Sequence, residues 1–378
     1  MEKAVVRRHK YGFLSRLDRL AERSSVVEWC VATLVVPVLA RLFWLKNKEK
    51  TGLRPSGKPT IMEYLKRAIE TSKNPQEVRK WRYDIIGAYL RYMIRPDEFM
   101  MFSFRGKSHR ERQTYLSNHE YYFGCVAKMT EAPFRKLRDK GVFYGLAGEF
   151  FRRDVCVVNG EGDLEPFTAF AHRHPRFFFK AIDAAFGEGC GIMDVPQDIP
   201  ACFFEMLKKG PFLAEELIVQ APELAQWNPS SVNTVRLCSF RKDGQVIIDC
   251  PFLRTGRKGS VVDNGGAGGI FASIDPATGV VNTEGADELG NFYPAHPDSG
   301  VPYQGVQIPQ WQELLEFCKT IHATLPAEFY YVGFDFALNA DRRWVLVEGN
   351  WGQFIAQQTT LRRGVRARFE ELMDLESI

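Results

Sequence analysis

Two short segments near the C-terminus constrain the fold more than any other part of the chain. Residues 330–338 and 344–350 show a period-two pattern, and the residues between them include Asp341 and Arg342. Such a period is typical of β-strands that bury one face. A two-residue turn at Asp341 and Arg342 would join the strands as an antiparallel hairpin. One face of this hairpin is wholly apolar and is predicted to be core: Val332, Phe334, Phe336, Leu338, Val345 and Val347.

The other face of the hairpin carries three oxygen-bearing side chains. In the predicted register Asp335 lies directly opposite Glu348, and Asn350 follows on the same face. Carboxylates that face each other repel unless a cation lies between them. Two carboxylates and a carboxamide oxygen suit a hard divalent cation such as Mg²⁺. The pattern therefore predicts a metal site, with two unrelated solvent-facing acids as the alternative.

A glycine-spaced loop follows a predicted strand that ends in Lys180. Its glycines include Gly187, Gly189 and Gly191. Glycine lets backbone N–H groups approach a phosphate closely, and lysine supplies a positive charge. The GK[ST] of a Walker A loop and the GxGxxG of a Rossmann fold are both missing. This loop is a candidate for phosphate binding, with an ordinary turn as the alternative.

Two further predicted strands carry charged side chains. Residues 212–219 include Glu215 and Glu216, and the edge of this strand is a candidate for binding adenine and ribose. Residues 234–240 include Arg236, and an arginine beside carboxylates suits a phosphate clamp. The alternatives are acids that face water and a simple arginine–carboxylate salt bridge.

A glycine-dense loop lies between two predicted strands. Asp263 and Asn264 are followed by Gly265, Gly266, Gly268 and Gly269. This density exceeds what a hairpin turn needs, and close approach of the backbone to a ligand would explain it. A mobile loop is the alternative.

The N-terminal part of the chain has a different character. Residues 1–58 contain 13 Lys and Arg against 5 Asp and Glu. This excess indicates either an anionic partner, such as a membrane surface or nucleic acid, or a solvated basic arm. Residues 25–45 are predicted to form an apolar helix that packs on the body or lies against a membrane. Their uncharged stretch, 29–40, is shorter than the ~20 residues of a membrane-spanning helix.

The remaining sequence predicts an α+β protein. Residues 46–60 are typical of a linker, and residues 60–130 show helical spacing. Beyond residue 132, short strands alternate with turns and a few helices. The predicted strands are 176–180, 212–219, 234–240, 246–251, 330–338 and 344–348, and the predicted helices are 201–209, 309–324 and 362–375. Eight singly spaced cysteines argue against a zinc site and for reduced thiols.

These motifs, in this order, resemble the ATP-grasp superfamily. They are similar in particular to the sugar-transfer-associated ATP-grasp proteins, which are related to the ribosomal-protein glutamate ligases. The EE-x-I, N-T-x-R, D-N-x-x-x-G-G and G-F-D…V-E-G-N motifs carry the resemblance over about residues 130–370. It implies an ATP-grasp fold with two α+β subdomains that grip ATP, preceded by a helical N-terminal region. The implied parts are a leader (1–58), a helical domain (59–130), a first subdomain with a lid loop (131–214) and a second with the metal site (215–378).

The resemblance also implies roles for individual residues. Arg236 and Lys180 would neutralise charge on the transferred phosphoryl group. Either Glu223 or Gln220 would contact the ribose of ATP. The nucleotide-binding set is Lys140, Lys180, Gly187, Gly189, Glu215, Glu216, Ile218 and Glu223. The set near the acceptor substrate is Asn233, Asp263, Asn264, Gly268, Gly269 and Gln357. The metal-binding set is Asp335, Glu348 and Asn350.

The function implied is an ATP-dependent ligase that joins a carboxylate to an amine through an acyl-phosphate and releases ADP and phosphate. It would need one or two Mg²⁺ ions, or Mn²⁺, and would act on an envelope sugar acid, amino acid or peptide in polysaccharide biosynthesis. The alternatives are a kinase with a hydroxyl acceptor and a non-catalytic, membrane-associated component of polysaccharide assembly. We expect a cytoplasmic protein without a nucleic-acid partner, and peripheral contact of residues 1–58 with the inner face of the membrane is the alternative location.

Overall fold

The computed structural model describes residues 4–6, 12–54, 58–182, 189–352 and 354–377. The chain divides into two compact units. Unit 1 comprises Met1–Lys128, Glu288–Asn291 and Gln353–Ile378, and unit 2 comprises Met129–Asp287 and Phe292–Gly352. Residues 353–378, which the resemblance assigned to the second subdomain, are therefore part of unit 1.

Helices and antiparallel sheets are both present, so the predicted α+β class and the helical N-terminal region are confirmed. The helices are α1 (Gly12–Ala21), α2 (Ser25–Cys30), α3 (Val36–Asn47), α4 (Ile61–Thr71), α5 (Pro75–Lys80), α6 (Arg82–Tyr92), α7 (Pro96–Met101), α8 (His109–Gln113), α9 (Asn118–Met129), α10 (Glu131–Arg138), α11 (Lys140–Ala147), α12 (Leu164–Arg173), α13 (Ile199–Leu207), α14 (Pro222–Ala225), α15 (Trp311–Thr324), α16 (Ile355–Leu361) and α17 (Arg366–Met373). The strands are β1 (Ala4–Val6), β2 (Val155–Val158), β3 (Arg176–Ala181), β4 (Cys190–Asp194), β5 (Phe212–Glu216), β6 (Thr234–Lys242), β7 (Gln245–Thr255), β8 (Ile270–Ser273), β9 (Gly285–Ala286), β10 (Phe292–Tyr293), β11 (Tyr331–Leu338), β12 (Trp344–Asn350) and β13 (Leu375–Ser377).

Several helices of unit 1 begin at residues whose side chains cap the first turn. The hydroxyl of Thr60 accepts a hydrogen bond from the backbone N–H of Glu63 at 3.1 Å and caps α4. Ser108 and Glu111 form a reciprocal capping box at the start of α8. Such caps satisfy N–H groups that a helix leaves unpaired in its first turn. The helical pattern predicted for residues 60–130 is confirmed by α4 to α9.

The apolar segment predicted as a helix forms one continuous helix over Ser25–Asn47. It consists of α2, a π-helical turn at Val31–Val35, and α3. Its 23 residues make it long and apolar enough to cross a membrane by length and composition. The predicted limits of 25–45 were therefore nearly correct, and the uncharged stretch of residues 29–40 lies inside a longer helix.

The C-terminal helix predicted for residues 362–375 is wrong in its extent. The structure has two helices, α16 and α17, with Arg362 in a left-handed conformation at φ 52° between them. Gly364 lies against the backbone of Thr114, where an added Cβ atom would be 1.9 Å from the carbonyl oxygen. This close approach requires an interruption that a helical spacing pattern does not reveal.

Unit 2 contains two antiparallel sheets. The four-stranded sheet has the order β2-β5-β3-β4, and the seven-stranded sheet has the order β10-β9-β8-β7-β6-β11-β12. One face of the larger sheet packs against α15, where the rings of Phe317 and Phe336 are 5.7 Å apart. The six predicted strands all exist, although β5 ends at Glu216 instead of residue 219.

The β11–β12 hairpin has a different turn from the one predicted. Asn339 and Arg343 close it, because the N–H of Asn339 donates to the carbonyl of Arg343 at 3.1 Å. Leu338 therefore pairs with Trp344, and a β-bulge beside Asp335 shifts the register by one residue. The longer turn and the bulge change the register in opposite directions, so Asp335 lies opposite Glu348 as predicted.

The bulge also changes which β12 residues face the core. Trp344 and Leu346 join Phe336 and Leu338 in the apolar core of unit 2. The prediction that Val345 and Val347 occupy that face was wrong, because a one-residue shift of register moves every side chain beyond it to the opposite face.

Candidate nucleotide and metal site

A row of charged side chains crosses three neighbouring strands of the seven-stranded sheet. Asp335 on β11 lies opposite Arg236 on β6 and opposite Glu348 on β12. Residues that lie directly opposite in antiparallel strands project from the same face. The sheet therefore places these three side chains together, and Asn350 follows two residues after Glu348.

Asp335 is buried and held by two arginines. Its Oδ1 atom accepts a hydrogen bond from Nε of Arg236 at 2.6 Å, and Arg236 also donates from Nη2 to Oδ2. Nη1 of Arg254 donates to Oδ2 of Asp335 at 2.8 Å. Burial alone would raise the pKa of Asp335, but the two guanidinium groups lower it to about 2. The carboxylate is therefore ionised at neutral pH.

Arg254 was missed in the sequence and connects two predicted sites. Its Nη2 atom lies 2.8 Å from Oδ1 of Asp263 and 2.6 Å from Oδ1 of Asn264, while Nη1 contacts Asp335. The glycine-dense loop is thereby joined to the hairpin through one guanidinium group. A buried arginine at the end of the apolar strand β7 was the available signal, since such a residue requires partners.

Glu348 and Asn350 form the more accessible part of the row. Nδ2 of Asn350 lies 3.4 Å from Oδ2 of Asp335 and 3.4 Å from Oε1 of Glu348. The side chain of Glu348 retains 32% of its exposure, against 2% for Asp335. Burial raises the pKa of Glu348, and the nearby Asp335 carboxylate raises it further. A cation beside Glu348 would offset both effects.

The donor atoms of this row fit a hard divalent cation. Oδ1 of Asn350 is buried and has no hydrogen-bond partner among the described residues. Gly352 packs tightly here, because an added Cβ atom would lie 2.8 Å from that oxygen and 2.6 Å from Nη1 of Arg236. Carboxylate and carboxamide oxygens are ligands that Mg²⁺ uses. The three predicted metal residues are thus close together, and both oxygens of Asp335 already accept from arginine.

A second ion cluster lies on the four-stranded sheet. Glu215 on β5 is buried and contacts Nη2 of Arg153 at 2.7 Å and Nζ of Lys180 at 3.0 Å. Burial alone would raise the pKa of Glu215, but Lys180 and Arg153 lower it. Arg153 was also missed in the sequence. The ionised carboxylate of Glu215 therefore forms ion pairs with both Arg153 and Lys180.

The two clusters of unit 2 meet at β12. Nη1 of Arg153 donates to the carbonyl of Leu346 at 2.5 Å, and Nζ of Lys180 donates to the carbonyl of Val347 at 3.5 Å. Lys140, at the start of α11, contacts the carbonyl of Ile182 at 3.5 Å. Burial lowers the pKa of Lys140, while the charge of Glu348 acts in the opposite direction. Lys180 of the four-stranded sheet and Lys140 of α11 thus both lie close enough to the Glu348 carboxylate to interact with its charge.

The predicted adenine-binding strand differs from the prediction. β5 is an inner strand, and the backbone of Glu215 pairs with both β2 and β3. The carboxylate of Glu216 accepts from the N–H of Asp154 at 3.0 Å. The expected open edge is therefore not at these two residues. The half-buried Ile218, just beyond the strand, is the remaining candidate for backbone contact with adenine.

The two candidates for binding ribose have protein partners. Oε1 of Gln220 accepts from the N–H of Asn233 at 2.5 Å. Glu223, in α14, forms an ion pair with Arg342 in the β11–β12 turn. Glu223 is the more accessible of the two candidates, because its ion pair with the exposed Arg342 can break when a ligand binds.

The glycine-dense loop closes tightly on itself. Oδ2 of Asp263 accepts from the backbone N–H of Thr234 at 3.0 Å, and Gly269 donates to the carbonyl of Asn264 at 3.0 Å. A Cβ atom on Gly269 would lie 2.2 Å from the carbonyl oxygen of Asp263. Gly268 has φ 85°, in the left-handed region that glycine adopts readily. The glycines at these two positions are explained by loop closure.

Asn233 was predicted to contact the acceptor, and the structure gives it a different role. It is fully buried, and Nδ2 donates to the carbonyls of Leu224 and Asn228 at 2.7 and 2.9 Å. Oδ1 accepts from the N–H of Gly256 at 3.1 Å and from Ser231 at 3.2 Å. Its amide has no polar atom left for a substrate, so Asn233 holds neighbouring loops together.

Three predicted residues lie elsewhere. Gln357 is in α16 of unit 1 and stays a prediction. Gly187 lies outside the described residues. Gly189, at φ 63°, accepts at its carbonyl from the N–H of Ala181 at 2.8 Å and thus begins the pairing of β3 with β4.

The sequence of this region matches a known family. Residues 197–373, a little under half of the chain, match the profile of the sugar-transfer associated ATP-grasp proteins. The matched segment includes the hairpin and all three predicted metal residues. The predicted resemblance to the sugar-transfer associated ATP-grasp family is therefore confirmed over these residues. A search of curated proteins gave no match.

Several solved structures show weak similarity to the chain. D-alanyl-alanine synthetase A from Vibrio cholerae has 11% identity and a TM-score of 0.39, covering 63% of this chain and 65% of that one. The ATP-grasp ligase PsnB with its minimal precursor has 14% identity and a TM-score of 0.37, covering 65% and 63%. N5-carboxyaminoimidazole synthetase from Staphylococcus aureus with ADP has 11% identity and a TM-score of 0.42, covering 69% and 60%. The chain spans less than two thirds of the length of each.

Proposed function

We propose that this protein is an ATP-dependent ligase that joins a carboxylate to an amine through an acyl-phosphate, with release of ADP and phosphate. The row of Arg236, Asp335 and Glu348 across three strands carries the proposal. This row places a fixed cation beside two carboxylates, and Lys180 approaches it from the other sheet of unit 2. Such a combination suits a magnesium nucleotide whose terminal phosphate is transferred.

The side chains have separate tasks in nucleotide binding. Lys180 and Lys140 would contact the phosphates as point charges. Arg236 would donate to the transferred phosphoryl group. Backbone groups near Ile218 would hold adenine, and Glu223 would contact ribose. Glu348, Asn350 and Asp335 would hold Mg²⁺, which would supply positive charge close to the nucleotide phosphates.

The first chemical step activates the carboxylate. One of its oxygens attacks the γ-phosphorus of ATP, the bond to the bridging oxygen breaks, and ADP leaves with that electron pair. Arg236 and Lys180 stabilise the negative charge that develops on the phosphoryl oxygens. Positioning and electrostatics account for most of the acceleration in reactions of this kind.

The second step forms the amide. The nitrogen of a neutral amine attacks the acyl carbon, phosphate leaves, and the nitrogen loses one proton to the leaving phosphate or to water. Arg254, with Asp263 and Asn264, would position the acceptor beside the γ-phosphate. An envelope sugar acid, an amino acid or a peptide is the proposed carboxylate, by family resemblance alone.

A screen of ADP release tests the proposal. Purified protein would be supplied with Mg²⁺, ATP and pairs of carboxylates and amines, and the products would be identified by mass spectrometry. We expect ADP release that needs both members of a pair, and an acyl hydroxamate when hydroxylamine replaces the amine. AMP without ADP would contradict the mechanism. ADP release with a phosphorylated hydroxyl compound and no amine requirement would identify a kinase instead.

A further inference from the structure

The long apolar helix of unit 1 has one face that nothing in the unit covers. Six large apolar residues on Ser25–Asn47 are each more than half exposed: Val26, Trp29, Leu34, Val38, Leu42 and Leu45. Continuous exposed apolar surfaces of this kind usually mark a binding surface. We define these six residues as the apolar stripe.

The π-helical turn keeps the apolar stripe on one side of the helix. Successive members are three or four residues apart, except for the step from Trp29 to Leu34, which spans the turn at Val31–Val35. A π-turn accommodates one extra residue, because its hydrogen bonds run from i to i+5. The N–H of Val36 accordingly donates to the carbonyl of Val31. The insertion therefore aligns the two halves of the stripe.

The opposite face of the same helix is fixed to α6. Ala40 is fully buried, and the rings of Phe43 and Tyr89 are 6.0 Å apart. Gly87 provides the room for this contact, because an added Cβ atom would be 2.9 Å from Val36. Because one side of the helix packs on α6, only the side with the stripe is open to lipid. This arrangement suits a helix that lies along a membrane surface.

A buried ion cluster anchors the start of the helix. Nη2 of Arg91 lies 2.5 Å from Oδ1 of Asp18 and 2.6 Å from Oε2 of Glu28. Arg91 and Asp18 are almost fully buried. The single charge of Arg91 thus offsets one of these two negative charges, and Asp18 is removed from the exposed surface.

The exposed polar groups around the apolar stripe are mainly basic. Arg41 is the one exposed charge between Val26 and Leu45, and its guanidinium group lies over the ring of Tyr83 at 5.6 Å. Thr33 donates its hydroxyl to the carbonyl of Trp29 at 2.6 Å, so the stripe has no unsatisfied hydroxyl there. The exposed cations beyond the two ends are Arg16, Arg19, Arg23, Lys46, Lys48 and Lys50, against Glu22 and Glu49.

We propose that the apolar stripe and its flanking basic residues bind the surface of an anionic lipid bilayer, with the helix lying in the plane of the interface. Apolar side chains would enter the boundary between headgroups and acyl chains, while lysines and arginines pair with anionic headgroups. A second copy of the chain fits less well, because positive charges at both ends of the stripe would repel in either orientation. The proposal does not depend on the ligase assignment.

Vesicle sedimentation with the full chain tests this proposal. We expect at least tenfold stronger binding to phosphatidylcholine vesicles that contain phosphatidylglycerol than to phosphatidylcholine alone, and a decrease with added salt. The triple variant Trp29→Gln, Leu34→Gln, Leu42→Gln should lose at least tenfold in binding. Three apolar residues exposed elsewhere give the matched control, Phe123→Gln, Phe204→Gln, Leu289→Gln, which should bind like the wild type.

A charge-reversal variant keeps the test decisive if the triple variant unfolds. Arg16→Glu, Arg19→Glu, Lys46→Glu, Lys48→Glu changes exposed residues only and should remove the preference for anionic vesicles. Equal binding to neutral and anionic vesicles, or unchanged binding by the stripe variants, would overturn the proposal. It would also be overturned by a wild-type dimer in light scattering that the triple glutamine variant converts to monomer.

Discussion

The two ion clusters of unit 2 share a design and differ in what surrounds them. Asp335 on the seven-stranded sheet is held by Arg236 and Arg254, and Glu215 on the four-stranded sheet is held by Arg153 and Lys180. Each is a buried carboxylate on an inner strand that two cations share. In both, burial opposes ionisation of the carboxylate and the paired cations restore it.

The two clusters differ in the groups that lie beside the buried carboxylate. The Asp335 cluster adjoins Glu348 and Asn350, whose oxygens are available to a cation. The Glu215 cluster adjoins the backbone of β12 and presents Lys180. The first cluster is thus suited to hold a metal ion and a transferred phosphoryl group. The second fixes the position of Lys180, for which we propose contact with nucleotide phosphates, so two similar clusters have different proposed roles.

The largest effect is expected from Glu348→Gln, which removes the accessible carboxylate of the first cluster. ADP release should fall by about 10²- to 10³-fold, comparable with the loss of one group that stabilises transition-state charge. The amide keeps the shape of the side chain, so the folded structure should persist. Asp341→Asn, in the exposed turn of the same hairpin, is the matched control and should retain wild-type rates. Equal rates in both variants would remove Glu348 from the mechanism.

Glu215→Gln should break the second cluster and mainly reduce stability. It leaves Arg153 and Lys180 without their shared carboxylate, which costs about 3–5 kcal/mol when a buried ion pair loses one partner. Urea unfolding measures this loss. Glu216→Gln provides the comparison, because this half-buried carboxylate accepts from the N–H of Asp154 and changes stability by about 1 kcal/mol at most. Similar stabilities for the two variants would contradict the role given to Glu215.

Arg254→Lys should separate acceptor binding from nucleotide binding. Lysine retains the charge but cannot contact Asp335, Asp263 and Asn264 together, since it lacks the planar fork. We expect KM for the carboxylate to rise about tenfold to a hundredfold, the equivalent of about 1.5–3 kcal/mol for a charged hydrogen bond. KM for ATP should change less. A larger change for ATP would place Arg254 at the nucleotide instead.

The first cluster also predicts how stability depends on pH. Because the folded pKa of Asp335 is about 2, below its ordinary value of 3.8, the folded state binds this proton less readily than the unfolded state. Its contribution, about 2 kcal/mol, is present above pH 3.8 and is lost as the pH falls towards 2. In Asp335→Asn this loss should be missing from urea unfolding measured over the same range. Parallel pH profiles for the two proteins would contradict the assigned pairing.

The sequence predicted the parts of the site that depend on a local period. Alternation along the hairpin placed Asp335 opposite Glu348 even though the turn was wrong, because the β-bulge compensates for the longer turn. The same alternation placed Val345 on the wrong face. A bulge depends on packing with neighbouring strands, which a single strand pattern does not contain.

Residues that act through long-range contacts were not predicted. Arg254 is 81 residues from Asp335 in the chain, and Arg153 is 62 residues from Glu215. Asn233 looked like a substrate residue because its motif resembles a binding strand. Its actual partners are backbone groups of nearby loops, and no spacing rule reveals whether an amide faces a ligand or a loop.

Titration calorimetry of ADP, with and without Mg²⁺, tests the central claim most directly. If Glu348, Asn350 and Asp335 hold the ion that carries the nucleotide, Mg²⁺ should tighten ADP binding to the wild type by at least about tenfold, or ~1.4 kcal/mol. Glu348→Gln should bind ADP equally with and without the ion, while Asp341→Asn should behave like the wild type. An undiminished effect of Mg²⁺ in Glu348→Gln would contradict the account.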